Sequence, residues 1–77
     1  MPEQGQIWKE KGTKGSKCYV TYVLDKNETS KKKLAFGKVY ALYPDGYVHC
    51  WSIDGFKHNH EFTGDHVPFE DVAAILF

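Results

Sequence analysis

The chain has 77 residues, with ten lysines, no arginine and ten acidic residues, so its formal net charge is zero. This length is enough for one domain, whose core is near the lower size limit for folding without cross-links. The two cysteines, Cys18 and Cys50, are too few for the disulfide framework of a small secreted protein.

The amino terminus shows no charged segment followed by an apolar one, as a signal peptide would, and no apolar run approaches the length of a membrane span. We therefore expect a cytoplasmic protein with reduced thiols and no membrane association. The prediction is a single domain over residues 1–77, with an ordered core over about 5–77.

The first half of the chain predicts two strands separated by a loop. Residues 5–8 form a short strand that directs Ile7 and Trp8 to opposite faces, and residues 9–16 have the glycine, serine and lysine content of a loop. Residues 17–24 alternate β-branched and aromatic side chains, which is typical of a strand. One face of this strand carries Cys18, Val20, Tyr22 and Leu24, and the other carries Tyr19, Thr21 and Val23.

A polar loop over residues 25–33 leads into a three-stranded meander over residues 34–62. The first turn of the meander, at residues 43–47, has the order Pro-Asp-Gly that favours a type I turn with a glycine bulge. The second turn, at residues 53–56, has Asp-Gly between two large apolar residues, which predicts a two-residue type I′ hairpin.

These turns fix the predicted register, since loop length determines which residues of a hairpin face each other. The first turn pairs Tyr43 with Tyr47, Ala41 with His49 and Val39 with Trp51. The second turn pairs Ile53 with Phe56, Trp51 with His58, His49 with His60 and Tyr47 with Phe62. All of these residues share one face. The opposite face is also apolar on the first two strands, so we expect the sheet to curl and a second layer to cover it.

The carboxyl-terminal segment admits two interpretations. In the one we favour, residues 69–72 form a helical turn and residues 73–77 return as a last strand that closes the sheet against the first. In the alternative, residues 68–76 form one short helix, because Pro68 suits a first helical position and acidic residues follow it.

The order of the predicted elements resembles that of SH3-like barrels. It consists of five short strands, with a long loop after the second, tight turns in the middle and a helical turn before the last strand. The resemblance covers most of the chain as architecture. It implies an all-β fold, a small five-stranded barrel with a short helical turn near the carboxyl terminus. No specific family motif accompanies it, so no site residues follow from it.

The histidines are the most distinctive candidates for chemistry. The predicted register places His49, His58 and His60 on one face, where three imidazoles could surround a metal ion such as zinc. A half-buried aromatic face explains the same three residues without a metal, and no carboxylate is predicted nearby to orient the rings. We predict no metal and no cofactor, with these three histidines as the candidates to test.

The sequence shows no Ser-His-Asp or Cys-His-Asn order, so we expect a non-enzymatic binding module. Tyrosine and tryptophan are enriched at binding hot spots, which favours a protein partner. The size is also compatible with a phage or mobile-element protein that modulates a host protein. The predicted binding residues are Tyr47, Trp51, His49, His58, His60, Lys31, Lys32 and Lys33.

The alternative is a module that binds single-stranded nucleic acid through lysine loops and exposed aromatic residues. Residues 1–38 hold nine lysines and four acidic residues, whereas residues 39–77 hold one lysine and six acidic residues. Zero net charge and the lack of arginine argue against nucleic acid. The opposite charges of the two halves are also compatible with docking onto a protein or onto a second copy of the chain, as a homo-oligomer.

Overall fold

The computed structural model describes residues 2–12, 15–24 and 37–77. Its five strands are β1 (Gln6–Glu10), β2 (Lys17–Leu24), β3 (Lys38–Leu42), β4 (Val48–Ser52) and β5 (His60–His66). They form one antiparallel sheet in the order β4-β3-β2-β1-β5. The predicted loop over residues 25–33 and the first residues of the predicted meander, 34–36, lie outside the described residues.

Two short helices cover opposite faces of this sheet. Helix α1 (Ile53–Asn59) connects β4 to β5, and helix α2 (Val72–Leu76) follows a 3₁₀ turn (Phe69–Asp71) near the carboxyl terminus. The α1 face of the sheet holds a buried cluster of Trp8, Cys18, Val20, Val39, Ala41, Tyr43 and Phe56. The α2 face holds a smaller buried cluster of Ile7, Tyr19, Val72 and Leu76. The helices supply a second layer on each face, but α2 packs mainly on β1 and β2, and Val48 and Cys50 on the same face of β4 lie exposed. The cover predicted for this face of the meander is therefore only partial.

Adjacent residues of β1 contribute to the two different clusters. Ile7 is buried on the α2 face and Trp8 on the α1 face, as predicted. The Trp8 indole nitrogen donates a hydrogen bond to the side-chain oxygen of Gln6 at 2.9 Å, so its polar atom is satisfied in the interior. This interior strand lies between β2 and β5 and gives both faces of the sheet part of their core.

The predicted alternation along β2 holds only up to Val20. The pairing with β3 shifts between Val20 and Tyr22, so Thr21 occupies a bulge. Beyond the bulge Val23 packs against the α1-face cluster, on the same side as Val20, and Tyr22 lies exposed on the opposite side. One inserted residue thus exchanges the two faces at the end of the strand.

The hairpin between β3 and β4 has the predicted turn and register. The Gly46 amide donates to the Tyr43 carbonyl at 2.9 Å, the Tyr43 amide donates to the Tyr47 carbonyl at 3.1 Å, and Gly46 has a φ of 87°. A positive φ at this position is what a glycine bulge requires. Ala41 pairs with His49 and Val39 with Trp51, which confirms the pairings predicted for the first turn.

The predicted second hairpin is wrong, because residues 53–59 form helix α1. Ser52 caps this helix: its hydroxyl accepts a hydrogen bond from the Gly55 amide at 3.1 Å. Asp54 lies in the first turn and Lys57 in the last, as the helix dipole favours. The helical conformation also buries Phe56 completely against the sheet.

We predict that replacing Ser52 with alanine will lower the free energy of unfolding by about 1 kcal/mol, because the Gly55 amide loses its acceptor. In a domain of this size that change lowers the melting temperature by roughly 4–8 °C in thermal unfolding followed by circular dichroism. Ser52→Asp, which keeps an acceptor at the cap, should retain most of the stability. Equal losses in the two variants would contradict the capping role.

Helix α1 also changes where the next strand lies. The strand β5 pairs with β1, placing Trp8 opposite Phe62 and Glu10 opposite His60. The four pairings predicted from the second turn, between Ile53 and Phe56, Trp51 and His58, His49 and His60, and Tyr47 and Phe62, are therefore wrong. Thr63, Gly64 and Asp65 lie within β5 at an irregularity in its pairing.

At the carboxyl terminus the helical alternative is confirmed. Residues 69–76 form the 3₁₀ turn and helix α2, and the predicted closing strand over residues 73–77 is wrong. Val72 and Leu76 are buried from one side of α2, four residues apart, which is the spacing of a helix face. The strand that pairs with β1 is β5 instead.

The prediction of a mostly β chain with five strands and a short carboxyl-terminal helical segment is confirmed. The sheet is open, because β4 and β5 are its two edges in the hydrogen-bonded order. The likeness to SH3-like barrels stays a prediction. Within the described ranges, no helix is long and apolar enough to span a membrane.

Candidate functional site

A groove of about 280 Å³ lies on the α1 face, where the β3–β4 hairpin meets the end of β1. Its lining comes from three parts of the chain: the end of β1, the residue before β2, and the hairpin with its second strand. The lining residues are Glu10, Ser16, Tyr43, Pro44, Asp45, His49 and Trp51. The groove thus combines aromatic rings with two carboxylates.

Tyr43 and Trp51 supply the aromatic part of the groove. Tyr43 follows β3 and is almost fully buried, and Trp51 lies on β4 with part of its side chain exposed. The His49 ring packs edge-on against Tyr43, with ring centroids 4.8 Å apart. The Trp51 indole nitrogen is buried and makes no hydrogen bond within the described part of the chain.

Beneath Tyr43 lies a buried chain of hydrogen bonds through His60, which is 1% exposed. The His60 Nδ1 lies 2.9 Å from the Phe56 carbonyl oxygen and its Nε2 lies 2.7 Å from the Tyr43 hydroxyl. A carbonyl only accepts, so Nδ1 donates and carries a proton. Burial disfavours a second proton on the ring, and in the neutral imidazole Nε2 accepts from the Tyr43 hydroxyl and fixes its position.

The surroundings of this chain favour uncharged groups. Burial lowers the pKa of His60 below its ordinary value of 6.5. Burial also raises the pKa of the Tyr43 phenol, and the neighbouring Cys18 thiol adds to that rise. Both shifts favour the uncharged forms of the His60 imidazole and the Tyr43 phenol at physiological pH.

Cys18 is a structural thiol in this arrangement. Burial raises its pKa to about 12, so the nucleophilic thiolate is not populated near neutral pH. Cys50 projects to the other face of β4, beside Tyr40, and its contact with the Tyr40 phenol raises the pKa of that phenol. The two cysteines are free and lie on opposite faces of the sheet.

Two carboxylates in different environments line the groove. Asp45 accepts a hydrogen bond from the Tyr47 amide at 2.8 Å and contacts His49 Nε2 at 2.9 Å. These two contacts, the amide first, lower the pKa of Asp45. Glu10 is half-buried at the end of β1, and its carboxylate makes no hydrogen bond or ion pair with any described residue.

The structure brings together only part of the predicted binding set. His49 and Trp51 line the groove, and Tyr47 lies exposed in the adjoining turn. His60 is buried beneath the groove and His58 is exposed on α1. Lys31, Lys32 and Lys33 lie outside the described residues.

The three predicted metal candidates do not share a strand pair. His49 lies on β4, His58 on α1 and His60 at the start of β5, because the second hairpin on which their convergence depended is replaced by a helix. Among the described residues, no group of three or more histidine, cysteine, aspartate or glutamate side chains is placed to hold a metal ion. Both nitrogens of His60 are already in hydrogen bonds within the core.

Sequence reasoning did not select Glu10, Ser16, Tyr43 or Asp45 as site residues. Alternation from Trp8 places Glu10 on the same face of β1, but a strand predicted to end at Trp8 leaves Glu10 in a loop. Ser16 comes next to it only through the pairing of β1 with β2, where the Glu10 amide donates to the Ser16 carbonyl at 2.9 Å. The groove therefore depends on contacts between distant residues.

Searches against protein-family models, curated proteins and solved structures found no match to this chain.

Proposed function

We propose that this protein is a non-enzymatic interaction module that binds a partner polypeptide in the groove between Glu10 and the β3–β4 hairpin. The observation that carries the proposal is the lining of the groove, which combines the aromatic rings of Tyr43 and Trp51 with two carboxylates. Aromatic side chains in a concave surface with a polar border are the usual composition of protein-binding hot spots.

The scaffold around the groove supports binding without a large rearrangement. Tyr43 is held by His60, and its neighbour Trp51 lies on a paired strand. The Asp45 carboxylate holds the turn through the Tyr47 amide and holds the His49 ring through its Nε2 atom. A surface positioned before binding loses less conformational freedom when it captures its partner.

The charge of the groove favours a protein over nucleic acid. The carboxylates of Glu10 and Asp45 both border the groove, and a phosphate backbone would bring further negative charge against them. The aromatic residues of the groove thus lie next to negative charge, which repels the phosphates of any nucleotide that stacks on them.

Photo-crosslinking tests this proposal by comparing the groove with the other face. His49 and Tyr22 are each about half exposed, and Tyr22 lies on the α2 face of β2. We expect that p-benzoylphenylalanine in place of His49 will form a specific crosslink to one protein in nuclease-treated lysate of the source cells. The same group replacing Tyr22 should give no such product.

Equal crosslinking from positions 49 and 22 would show that capture does not depend on the groove. Loss of every crosslinked product on nuclease treatment would show that proteins reach the chain through nucleic acid, and would favour the alternative class. Each variant is checked for a native amide spectrum before use, so that a difference in capture is not a difference in folding.

A further inference from the structure

The Glu10 side chain is an acidic group without a counter-ion among the described residues. It is half-buried at the end of β1, faces the groove, and makes no hydrogen bond or ion pair with a described residue. The preceding residue, Lys9, points to the opposite face of the strand, where Glu61 stands opposite it in the pairing of β1 with β5. Partly burying an unpaired carboxylate costs free energy, because it loses water without gaining a partner.

The Glu10 carboxylate lies near the buried groups beneath the groove. Glu10 lines the groove together with Tyr43 and stands opposite His60 in the pairing of β1 with β5. Its charge also adds to the raised pKa of Cys18 and Tyr43. The only histidine in the groove, His49, is already in contact with Asp45 at 2.9 Å. Among the described residues that line the groove, none offers a lysine or arginine to Glu10.

We propose that the groove binds a cationic side chain, lysine or arginine, of the partner polypeptide, with Glu10 as its counter-ion. This inference rests on the proposed function and names the chemistry of the ligand. The cationic head pairs with Glu10, and the apolar stem lies along Tyr43 and Trp51, as the stems of long charged side chains do on apolar surfaces. A ring face near the cation adds a cation–π attraction.

The groove is large enough for a long side chain, since its volume of about 280 Å³ is close to the lower limit of pockets that hold drug-sized ligands. Asp45 supplies a second negative charge to the groove lining, and the Tyr47 amide and His49 lower the pKa of its carboxyl. Both carboxylates attract a cation and repel an anion, so the groove selects by the sign of the charge.

Matched peptides test the sign of the charge directly. The probes are four five-residue peptides, blocked at both ends, with lysine, arginine, norleucine or glutamate at the centre and glycine and alanine elsewhere. Norleucine keeps the apolar stem of lysine and lacks the ammonium group. Each peptide is titrated to about 10 mM at about 0.15 M salt, because one side chain makes few contacts, and binding is followed by the Trp51 indole N–H signal.

We expect the lysine and arginine peptides to bind about tenfold tighter than the norleucine peptide, and the glutamate peptide not to bind. Glu10→Gln should weaken the binding of the lysine peptide about tenfold and leave the affinity for the norleucine peptide unchanged. The matched control is Glu61→Gln, which removes the same charge from exposed β5 and should change the affinity by less than about twofold.

Three results would overturn the inference: no binding by any peptide, equal binding of the lysine and norleucine peptides, or equal effects of Glu10→Gln and Glu61→Gln. The photo-crosslinking result separates this outcome from a failure of the proposed function. If a protein crosslinks at position 49 but cationic peptides bind no better than norleucine, the proposed interaction module stands and only the cationic ligand is ruled out. If the lysine peptide is clearly preferred but no protein crosslinks at position 49, the polypeptide partner is ruled out.

Discussion

Replacing Phe56 with alanine will lower the free energy of unfolding by about 3–5 kcal/mol, the cost of removing a large buried ring. Phe56 is 0% exposed and is the buried residue through which α1 packs on the sheet. Its ring stacks on His60 at 4.2 Å between centroids and meets Trp8 edge-on at 5.2 Å. A domain of this length has only about 4–12 kcal/mol of stability in total, so the loss is a large part of it. Urea unfolding followed by circular dichroism measures the change.

Phe69 provides the control for this substitution. It is 69% exposed and contacts Tyr19 edge-on at 6.1 Å between centroids, so Phe69→Ala should change the free energy of unfolding by no more than about 0.5 kcal/mol. If Phe56→Ala does not fold, Phe56→Leu gives a smaller loss that still can be measured. Equal losses at positions 56 and 69 would mean that α1 does not pack on the sheet.

The parts of the fold that the sequence predicted correctly are those fixed by neighbouring residues. Pro44, Asp45 and Gly46 each suit one position of the first turn, and the turn alone sets the register of the β3–β4 hairpin. The alternation of Ile7 and Trp8 between the two faces of β1 likewise depends only on the period of a strand.

The second turn shows why local signals can be ambiguous. Asp54 and Gly55 favour a hairpin, but the same residues follow Ser52, a strong helix cap. Tertiary packing decides between the two, because the helix places Phe56 in the core. Since the register of every later pairing was derived from this turn, one error moved His58 and His60 off the predicted face.

The groove could be predicted only in part for the same reason. Tyr43, His49 and Trp51 belong to one hairpin, so the sequence places them on one face. Glu10 and Ser16 reach the groove through the pairing of β1 with its neighbours, and that pairing depends on where β5 returns. The residue that carries the ligand proposal is therefore one that local patterns could not bring to the site.

We also expect the protein to lose stability as the pH falls below about 6.5, because His60 is neutral in the folded state. In the unfolded state His60 takes up a proton near its ordinary pKa of 6.5, whereas burial lowers the pKa in the folded state. Between these two values the unfolded state binds more protons, so the free energy of unfolding decreases with falling pH, by up to about 1.4 kcal/mol for each pH unit. Above pH 6.5 this contribution is complete and no longer changes.

Urea unfolding at pH 7.5 and 5.5 measures the effect in a range above the ordinary pKa of aspartate, 3.8, so that Asp45 stays ionised. His60→Gln should be less stable at pH 7.5, because the Tyr43 hydroxyl and the Phe56 carbonyl lose their partner, and its stability should depend less on pH. His58→Gln removes an exposed histidine of α1 and should leave the pH dependence of the native chain unchanged. If His60→Gln does not fold, the His60 ring signal of the native chain still gives the answer in a nuclear magnetic resonance titration. A ring that gains its proton at pH 6.5 or above would show that the buried chain through Tyr43 does not hold His60 neutral.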